Sequence, residues 1–158
     1  MFRDLARKKQ ILSNEECAAV LKGQLRGVLS VQGDDGYPYG LPIDYWYSED
    51  DGHLYFHSGK KGHKIDAMER CDKVSFCVWD EGFLKEGDWA LNIRSVIIFG
   101  RVRLVEDFDR AMEITRQLSL KFTQDPEYIE TEILKDGKAT AVYEIIPEHM
   151  TGKLVNEK

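Results

Sequence analysis

Apolar and polar residues alternate along most of the chain, which is the pattern of β-strands that bury one face. The alternation is clearest in residues 73–80, where Val74, Phe76 and Val78 fall on the same side of the strand. The same pattern predicts further strands over residues 25–31, 39–47, 53–58, 93–105 and 139–146.

Turn-forming and strand-breaking residues delimit these strands. Gly33-Asp34-Asp35-Gly36 is a strong hairpin signal, and Asp50-Asp51-Gly52 turns the chain again. Three strands joined by two tight turns predict a meander. Gly100 predicts a bulge in the longest strand, and Pro147 predicts the end of the last one.

Helical signals occur between the strands. Ser13-x-x-Glu16 is a capping box, in which the two side chains satisfy amides at the start of a helix that ends at Gly23. The other helices are predicted over residues 63–70, from Asp107 or Asp109 to about residue 122, and from Asp125-Pro126 through residue 134.

These elements predict one architecture. Six or seven mostly antiparallel strands with a few short helices make a mainly β fold with α, a small β-barrel decorated by helices. The chain has 158 residues, of which 42% are hydrophobic and 32% charged, as in an ordinary globular domain. We therefore predict a single domain over residues 1–158.

The net charge and the length of the apolar runs limit what the protein can bind. The chain has 22 Lys and Arg against 28 Asp and Glu, a net charge of −6. A nucleic-acid binder needs a broad cationic face, so we expect no nucleic acid and a small anion at any local basic patch. No apolar run approaches the ~20 residues that span a membrane. Three cysteines without a C-x-x-C pair, and no signal peptide, predict a reducing cytoplasmic location.

The most informative segment covers residues 57–64, where the chain leaves a strand, passes two glycines and enters a helix. Free amides at a helix start attract anions, and glycines let a ligand approach the backbone. The segment adds a hydroxyl and several cationic groups: Ser58, Lys60, Lys61, His63 and Lys64. A phosphate site fits this composition, and a solvated basic loop is the alternative.

Other familiar sites do not fit. The P-loop, the G-x-G-x-x-G fingerprint and the G-x-S-x-G elbow are missing from the sequence. His53 and His57 lie on the same side of a strand but too far apart for easy shared ligation, so we expect no metal. Glu16 and Asp51 belong to a helix start and a turn, and the sequence offers no evident acid–base pair, which leaves catalytic residues unknown.

Five motifs in register carry a family resemblance. They are Gly36-Tyr-Pro-Tyr-Gly-Leu-Pro42, Leu54-Tyr-Phe-His-Ser58, Gly62-His-Lys-Ile-Asp66, Lys73-Val-Ser-Phe76 and Arg94-Ser-Val96 through Gly100. The ending Met150-Thr-Gly-Lys153 adds to them. The chain resembles the nitroimidazole-resistance (Nim-like) flavoproteins, of the FMN-binding split-barrel group that includes pyridoxamine 5′-phosphate oxidase. The characteristic C-terminal substrate segment of that oxidase has no evident counterpart, which argues against vitamin metabolism.

The resemblance implies an antiparallel split β-barrel and a homodimer with FMN at each of two subunit interfaces. It assigns the FMN phosphate to His57, Ser58, Lys61 and Lys64, with His63 adjacent. It places the flavin ring beside Leu41, Pro42 and Ile43, and it brings Arg94 and Ser95 from the partner subunit.

The function that the resemblance implies is FMN-dependent reduction of a small, electron-poor molecule, with nitroimidazole-type compounds as candidates. A flavin supplies redox chemistry itself, so a lack of evident acid–base residues does not oppose this expectation. Two alternatives stay open. One is a non-enzymatic flavin-binding sensor or stress protein, and the other is a split barrel that binds haem or another cofactor.

Overall fold

A computed structural model describes residues 1–156. The strands are β1 (Arg26–Gln32), β2 (Pro38–Asp44), β3 (Trp46–Tyr47), β4 (Leu54–Gly59), β5 (Lys73–Trp79), β6 (Asn92–Leu104) and β7 (Thr140–Asn156). The α-helices are α1 (Asn14–Gly23), α2 (His63–Arg70), α3 (Phe108–Leu120) and α4 (Pro126–Asp136). None of the helices in this part of the chain is long and apolar enough to cross a membrane.

The seven strands form one antiparallel sheet in the order β2-β1-β5-β6-β7-β4-β3. β2 and β3 lie at opposite ends of this order, although Tyr45 alone separates them along the chain. The sheet therefore curls until its two ends approach each other. This geometry confirms the predicted mainly β split barrel with helices.

Alternate strand residues fill the barrel. Leu29, Phe76, Ile98 and Ile145 are at most 1% exposed and belong to one cluster with the apolar faces of α1 and α2. Helix α3 lies outside the barrel, where it packs on the outer face of β4 and β7. The helices predicted at the Ser13 capping box and over residues 63–70 are confirmed.

The strand predicted over residues 39–47 is wrong as a single element. Tyr45 divides it, because its side chain turns into the core, packs edge-on against Phe76 and donates from its hydroxyl to the carbonyl of Leu21 at 2.6 Å. The predicted three-strand meander is wrong for the same reason, since β2 pairs with β1 whereas β3 pairs with β4.

The predicted stop at Pro147 is also wrong, because β7 continues to Asn156 and pairs with β6 on both sides of Pro147, from Tyr143 to Asn156. Pro147 lies opposite Gly100, where the register shifts and the main chain of residue 148 has no paired residue in β6. A bulge tolerates a proline because one amide there has no ladder bond to make. The bulge predicted at Gly100 is confirmed.

Candidate functional site

The two ends of the curled sheet meet along a seam between β2 and β4. A ring contact and an electrostatic interaction link β2 to the segment that runs from β4 into α2. At one end the Tyr39 ring stacks on His63 with centroids 4.2 Å apart, and at the other the charge of Asp44 acts on His57. Leu41, Pro42 and Ile43 lie between Tyr39 and Asp44 in β2. The structure thus brings residues 41–43 and 57–64 together within one chain.

The three β2 residues do not all face the seam with their side chains. Leu41 and Ile43 pack on the barrel core, and Pro42 is exposed on the opposite face of the strand. β2 is an end strand of the sheet, so its outer edge presents main-chain groups without a ladder partner. A flat ligand at the seam would therefore meet the backbone of residues 41–43 and the ring of Pro42.

Helix α2 begins at the end of the seam without a cap. Gly62 is its N-cap residue, has a φ of 130°, and supplies no capping side chain. The first amides of a helix have no partner inside it, and they carry the positive end of the helix dipole. Nothing lies within 4 Å of the point where a Cβ would extend from Gly59 or Gly62, so a ligand can approach this backbone closely.

The side chains around this helix start are basic and hydroxylic. Ser58 is 8% exposed, whereas Lys61 is exposed and Lys64 is half-buried. Burial lowers the pKa of Lys64, because removing water disfavours its charged form. Within residues 1–156, neither Lys61 nor Lys64 forms an ion pair with an acidic side chain. These groups fit an anionic phosphate, which would compensate the charge.

His63 occupies a different place from the lysines. Its ring stacks on Tyr39, and its Nε2 lies 3.6 Å from Asp34 Oδ2. Asp34 in turn accepts a hydrogen bond from Arg70 at 2.9 Å. The structure therefore ties His63 to the β1–β2 hairpin, while its main chain belongs to the start of α2.

His57 lies in a concavity that water reaches, between β4 and the helices α3 and α4. It lines a cavity of about 290 Å³ together with Thr115 and Ser119 of α3. Burial lowers the pKa of His57, and the charge of Lys64 acts in the same direction, whereas Asp44 opposes both. His57 is therefore mainly neutral at pH 7, and a nearby phosphate would favour its protonation.

Within residues 1–156, Arg94 and Ser95 form no side-chain hydrogen bond or ion pair with residues 41–43 or 57–64. Arg94 pairs with Leu154 near the end of β7, whereas His57 pairs with Val142 near its start. The strand between residues 142 and 154 is roughly 40 Å long, at ~3.3 Å per residue, and the curl of the sheet makes the straight-line distance shorter. Ser95 is next to Arg94 and lies at the same end of the sheet.

The Arg94 side chain is held at that end. Its Nη1 lies 3.2 Å from Asp80 Oδ2, and its guanidinium lies over the Phe83 ring, 4.6 Å from the centroid. It also borders a separate cavity of about 390 Å³ beside α1.

A second charged cluster lies at the other end of β4, and the sequence analysis did not predict it. Glu144 is 3% exposed, accepts a hydrogen bond from Arg103 Nε at 2.5 Å, and has Tyr55 Oη 2.9 Å from its Oε1. His53 Nδ1 lies 2.6 Å from the same carboxylate, and because an ionised carboxylate only accepts, Nδ1 carries the hydrogen. We call these residues and their neighbours Asp51 and Arg110 the Glu144 network.

Asp51 and Arg110 complete this network. Tyr55 Oη lies 2.6 Å from Asp51 Oδ2 and 2.8 Å from Arg110 Nη2. The possible ligand atoms of Asp51, His53 and Glu144 lie within 4.8 Å of one another, close enough for a cation. The guanidinium groups of Arg103 and Arg110 already balance the two carboxylates, so the network holds its charge without an ion.

The sequence feature that indicates this network is Glu144 itself, an acidic residue in the middle of an apolar strand. Burial alone would raise the pKa of Glu144, but the hydrogen bonds from Arg103, His53 and Tyr55 outweigh burial and lower it. A carboxylate in this state is ionised and fully partnered, which is typical of a structural group.

A comparison with known protein families identifies the family of this chain. The profile of the pyridoxamine 5′-phosphate oxidase family matches residues 13–154. The chain belongs to this family. A comparison with curated protein sequences finds no match. The predicted resemblance to split barrels of the pyridoxamine 5′-phosphate oxidase type is confirmed.

Three solved structures illustrate which proteins share this fold. A candidate 5-nitroimidazole antibiotic resistance protein from Bacteroides thetaiotaomicron has a TM-score of 0.77 and 19% identity, over 92% of this chain and 87% of that one. An FAD-binding protein from Mesorhizobium loti has a TM-score of 0.66 and 25% identity, over 92% and 97%. An FAD- and haem-binding protein from Mycobacterium smegmatis has a TM-score of 0.68 and 16% identity, over 95% and 74%.

Proposed function

We propose that the chain is a flavin-dependent oxidoreductase that holds FMN along the seam, with the FMN phosphate at the start of α2. The observation that carries this proposal is the uncapped start of α2 beside Lys61 and Lys64, which have no acidic partner within residues 1–156. The half-buried ammonium of Lys64, the exposed one of Lys61 and the free amides of the helix start can all attract a phosphate. Membership of a family of flavin-binding split barrels makes FMN the natural source of that phosphate.

Each group at the seam has a role in this proposal. Ser58, Lys61, Lys64 and the amides of α2 hold the phosphate, with His57 beside them. The edge backbone of residues 41–43 lies along the flavin ring, where the carbonyl of Pro42, a residue without an amide hydrogen, can accept a hydrogen bond from a polar ring atom. When bound, the flavin supplies hydride or electron transfer, and the protein contributes binding, orientation and control of access.

We also propose that the functional unit is a homodimer. The outer face of β5 and β6 carries uncharged residues, including Trp79 and Ile97, which are 50% and 39% exposed. Ser95 lies on this face, and Pro42 lies on the outer face of β2 in the same sheet. A second copy on this surface can bring its Arg94 and Ser95 to the seam. Light scattering at micromolar concentration is expected to show a dimer, and a stable monomer would contradict this arrangement.

The proposed substrate is a small, flat and electron-poor molecule, with nitroimidazoles as candidates. The seam is bordered by Pro42 and by the apolar strand from Leu41 to Ile43, a surface that suits stacking. The structural likeness to a candidate 5-nitroimidazole antibiotic resistance protein supports this class. Electron transfer to a stacked molecule makes little demand on acid–base side chains.

The thiols support a reducing environment. Cys17, Cys71 and Cys77 are all free. Free thiols persist in reducing compartments, whereas secreted proteins commonly pair them. We therefore propose that the protein works in the cytoplasm.

The test of the function is anaerobic. The purified holoprotein is reduced, a nitroimidazole is added, and flavin absorbance and product are followed together. We expect reoxidation of the flavin with stoichiometric formation of reduced product. A flavin that stays reduced for hours contradicts the reductase and supports the sensor alternative.

The absorption spectrum of the purified protein tests the cofactor. Flavin bands are expected, and extraction should release FMN. A Soret band would support the haem alternative, which the likeness to an FAD- and haem-binding protein keeps relevant. Release of FAD in place of FMN would contradict the assignment of a terminal phosphate at α2.

A further inference from the structure

Lys121 is a half-buried lysine outside the phosphate site. It follows the last residue of α3, and its Nζ donates to the carbonyls of Gln24 and Tyr45, at 2.7 Å each. The same ammonium lies over the Tyr45 ring, 4.2 Å from the centroid. Two carbonyls and an aromatic face form a cage around this cation.

The position of the cage in the fold is unusual. Tyr45 is the single residue between β2 and β3, where the chain crosses from one end of the sheet to the other. Gln24 connects α1 to β1. Lys121 therefore joins α3 to the corner at which the split barrel closes, directly after the β2 residues that border the seam.

Lys121 also acts electrostatically on the seam through Asp44. The charge of Asp44 acts on both Lys121 and His57, and Asp44 accepts a hydrogen bond from Arg26 at 2.6 Å. Without a nearby cation, this carboxylate would repel an anionic ligand at the seam. Lys121 and Arg26 together reduce that repulsion.

We propose that Lys121 is a positioning residue for the flavin site: its ammonium fixes the corner at Tyr45 and so sets the position and charge of the β2 edge at the seam. This inference rests on the proposed flavin function. Lys121 touches neither the seam backbone of residues 41–43 nor the start of α2, so its effect is indirect and runs through Tyr45 and Asp44.

The charge of Lys121 depends on pH within an accessible range. Burial lowers the pKa of Lys121 to about 8, and Asp44 opposes that shift. The other charged groups near this path are Arg26, His57 and Lys64, and burial lowers the pKa of Lys64 as well. The FMN phosphate is already a dianion at pH 7, since its second pKa is about 6. Loss of the Lys121 proton should therefore weaken FMN binding as the pH rises through about 8.

The experiment titrates FMN into the full-length apoprotein between pH 7 and pH 9.5, using the quenching of flavin fluorescence. The variants are Lys121→Arg, whose charge does not titrate in this range, and Lys121→Met, which removes the charge. Lys135→Met is the control, because Lys135 is exposed on α4 and pairs only with neighbours on that helix. Thermal unfolding of each variant monitors the fold.

At pH 7, Lys121→Met should weaken FMN binding by up to about tenfold, because the loss of a direct charge-assisted bond sets the upper limit for a residue that acts through Tyr45 and Asp44. Lys121→Arg should bind within about threefold of the wild type at pH 7, and the ratio of the two dissociation constants should change as the wild type loses affinity near pH 8. Lys135→Met should match the wild type throughout.

If the FMN affinities of the wild type and Lys121→Arg changed identically with pH, the inference would be overturned and the flavin function would be unaffected. Unchanged affinity of a folded Lys121→Met variant would do the same. If the wild type binds no FMN at pH 7, the proposed function fails, and the positioning role fails with it.

Discussion

Strand β4 carries a charged cluster at each end, and the two clusters differ in how their charges are balanced. In the Glu144 network, two carboxylates face two guanidinium groups, and the buried carboxylate is bonded on both oxygens. At the seam, Lys61 and Lys64 stand beside the uncapped start of α2 without an acidic partner in the part of the chain that the structure describes. A cluster with balanced charges stabilises the fold, whereas a cluster with excess positive charge can bind a negatively charged ligand.

The largest expected effect breaks the balanced cluster. Glu144→Ala removes the acceptor of the part-buried His53 Nδ1 hydrogen, while Arg103 can turn to water and Tyr55 still has Asp51 Oδ2 at 2.6 Å. The free energy of unfolding should fall by about 2–3 kcal/mol, within the range for unsatisfied buried polar groups. Urea unfolding at pH 7 measures it.

The control for that variant is Glu148→Ala on the same strand, where the carboxylate is more exposed and pairs with Arg101 at 2.7 Å. An exposed pair contributes at most about 1 kcal/mol. Equal losses for the two variants would mean that the Glu144 network has no special stabilising role.

The pH dependence of the Glu144 effect has a definite sign. Because the pKa of Glu144 is lowered in the folded protein, its contribution is present above the usual value of 4.5 and is lost as the pH falls through the folded value. The difference in stability between the wild type and Glu144→Ala should therefore shrink below pH 4.5. A difference that grows in acid would contradict the hydrogen-bonded, ionised state of Glu144.

The next effect concerns the unbalanced cluster. Lys64→Ala should weaken FMN binding about tenfold or more, because a charge-assisted hydrogen bond contributes about 1.5–3 kcal/mol. Lys60→Ala is the matched control: Lys60 lies in the same segment but is exposed, so its loss should matter less. Fluorescence titration compares the two. Comparable losses would indicate a diffuse basic loop in place of a built phosphate site.

The smallest effect is expected at His57. Since burial and Lys64 lower its pKa, the imidazole is mainly neutral at pH 7, and His57→Gln should change FMN affinity there by less than about threefold. At pH 5.5 a bound phosphate favours the protonated ring, so the wild type should bind FMN more tightly than His57→Gln. A large loss at pH 7.5 would show that His57 binds the phosphate as a cation.

Local signals predicted most of the elements. The capping box of Ser13 and Glu16 forms as expected, and Val74, Phe76 and Val78 face the core. The alternation of a strand and the chemistry of a cap depend on neighbouring residues, so they can be seen in a short stretch of sequence.

Long-range contacts could not be predicted in the same way. The Tyr45 crossing depends on Leu21 and Phe76, and the continuation through Pro147 depends on Gly100 across the sheet. The Glu144 network joins a turn, two strands and a helix, and no local spacing encodes that meeting. The family motifs placed the seam residues near one another, but only the fold shows that Leu41 and Ile43 point into the core.

The most direct measurement of the central claim is the affinity of the wild-type protein for FMN compared with riboflavin, which has the same ring without the phosphate. Both are titrated into the apoprotein at pH 7.5 under one set of conditions. A built phosphate site at Ser58, Lys61, Lys64 and the start of α2 predicts that FMN binds at least about tenfold more tightly. Equal affinities for FMN and riboflavin would contradict it.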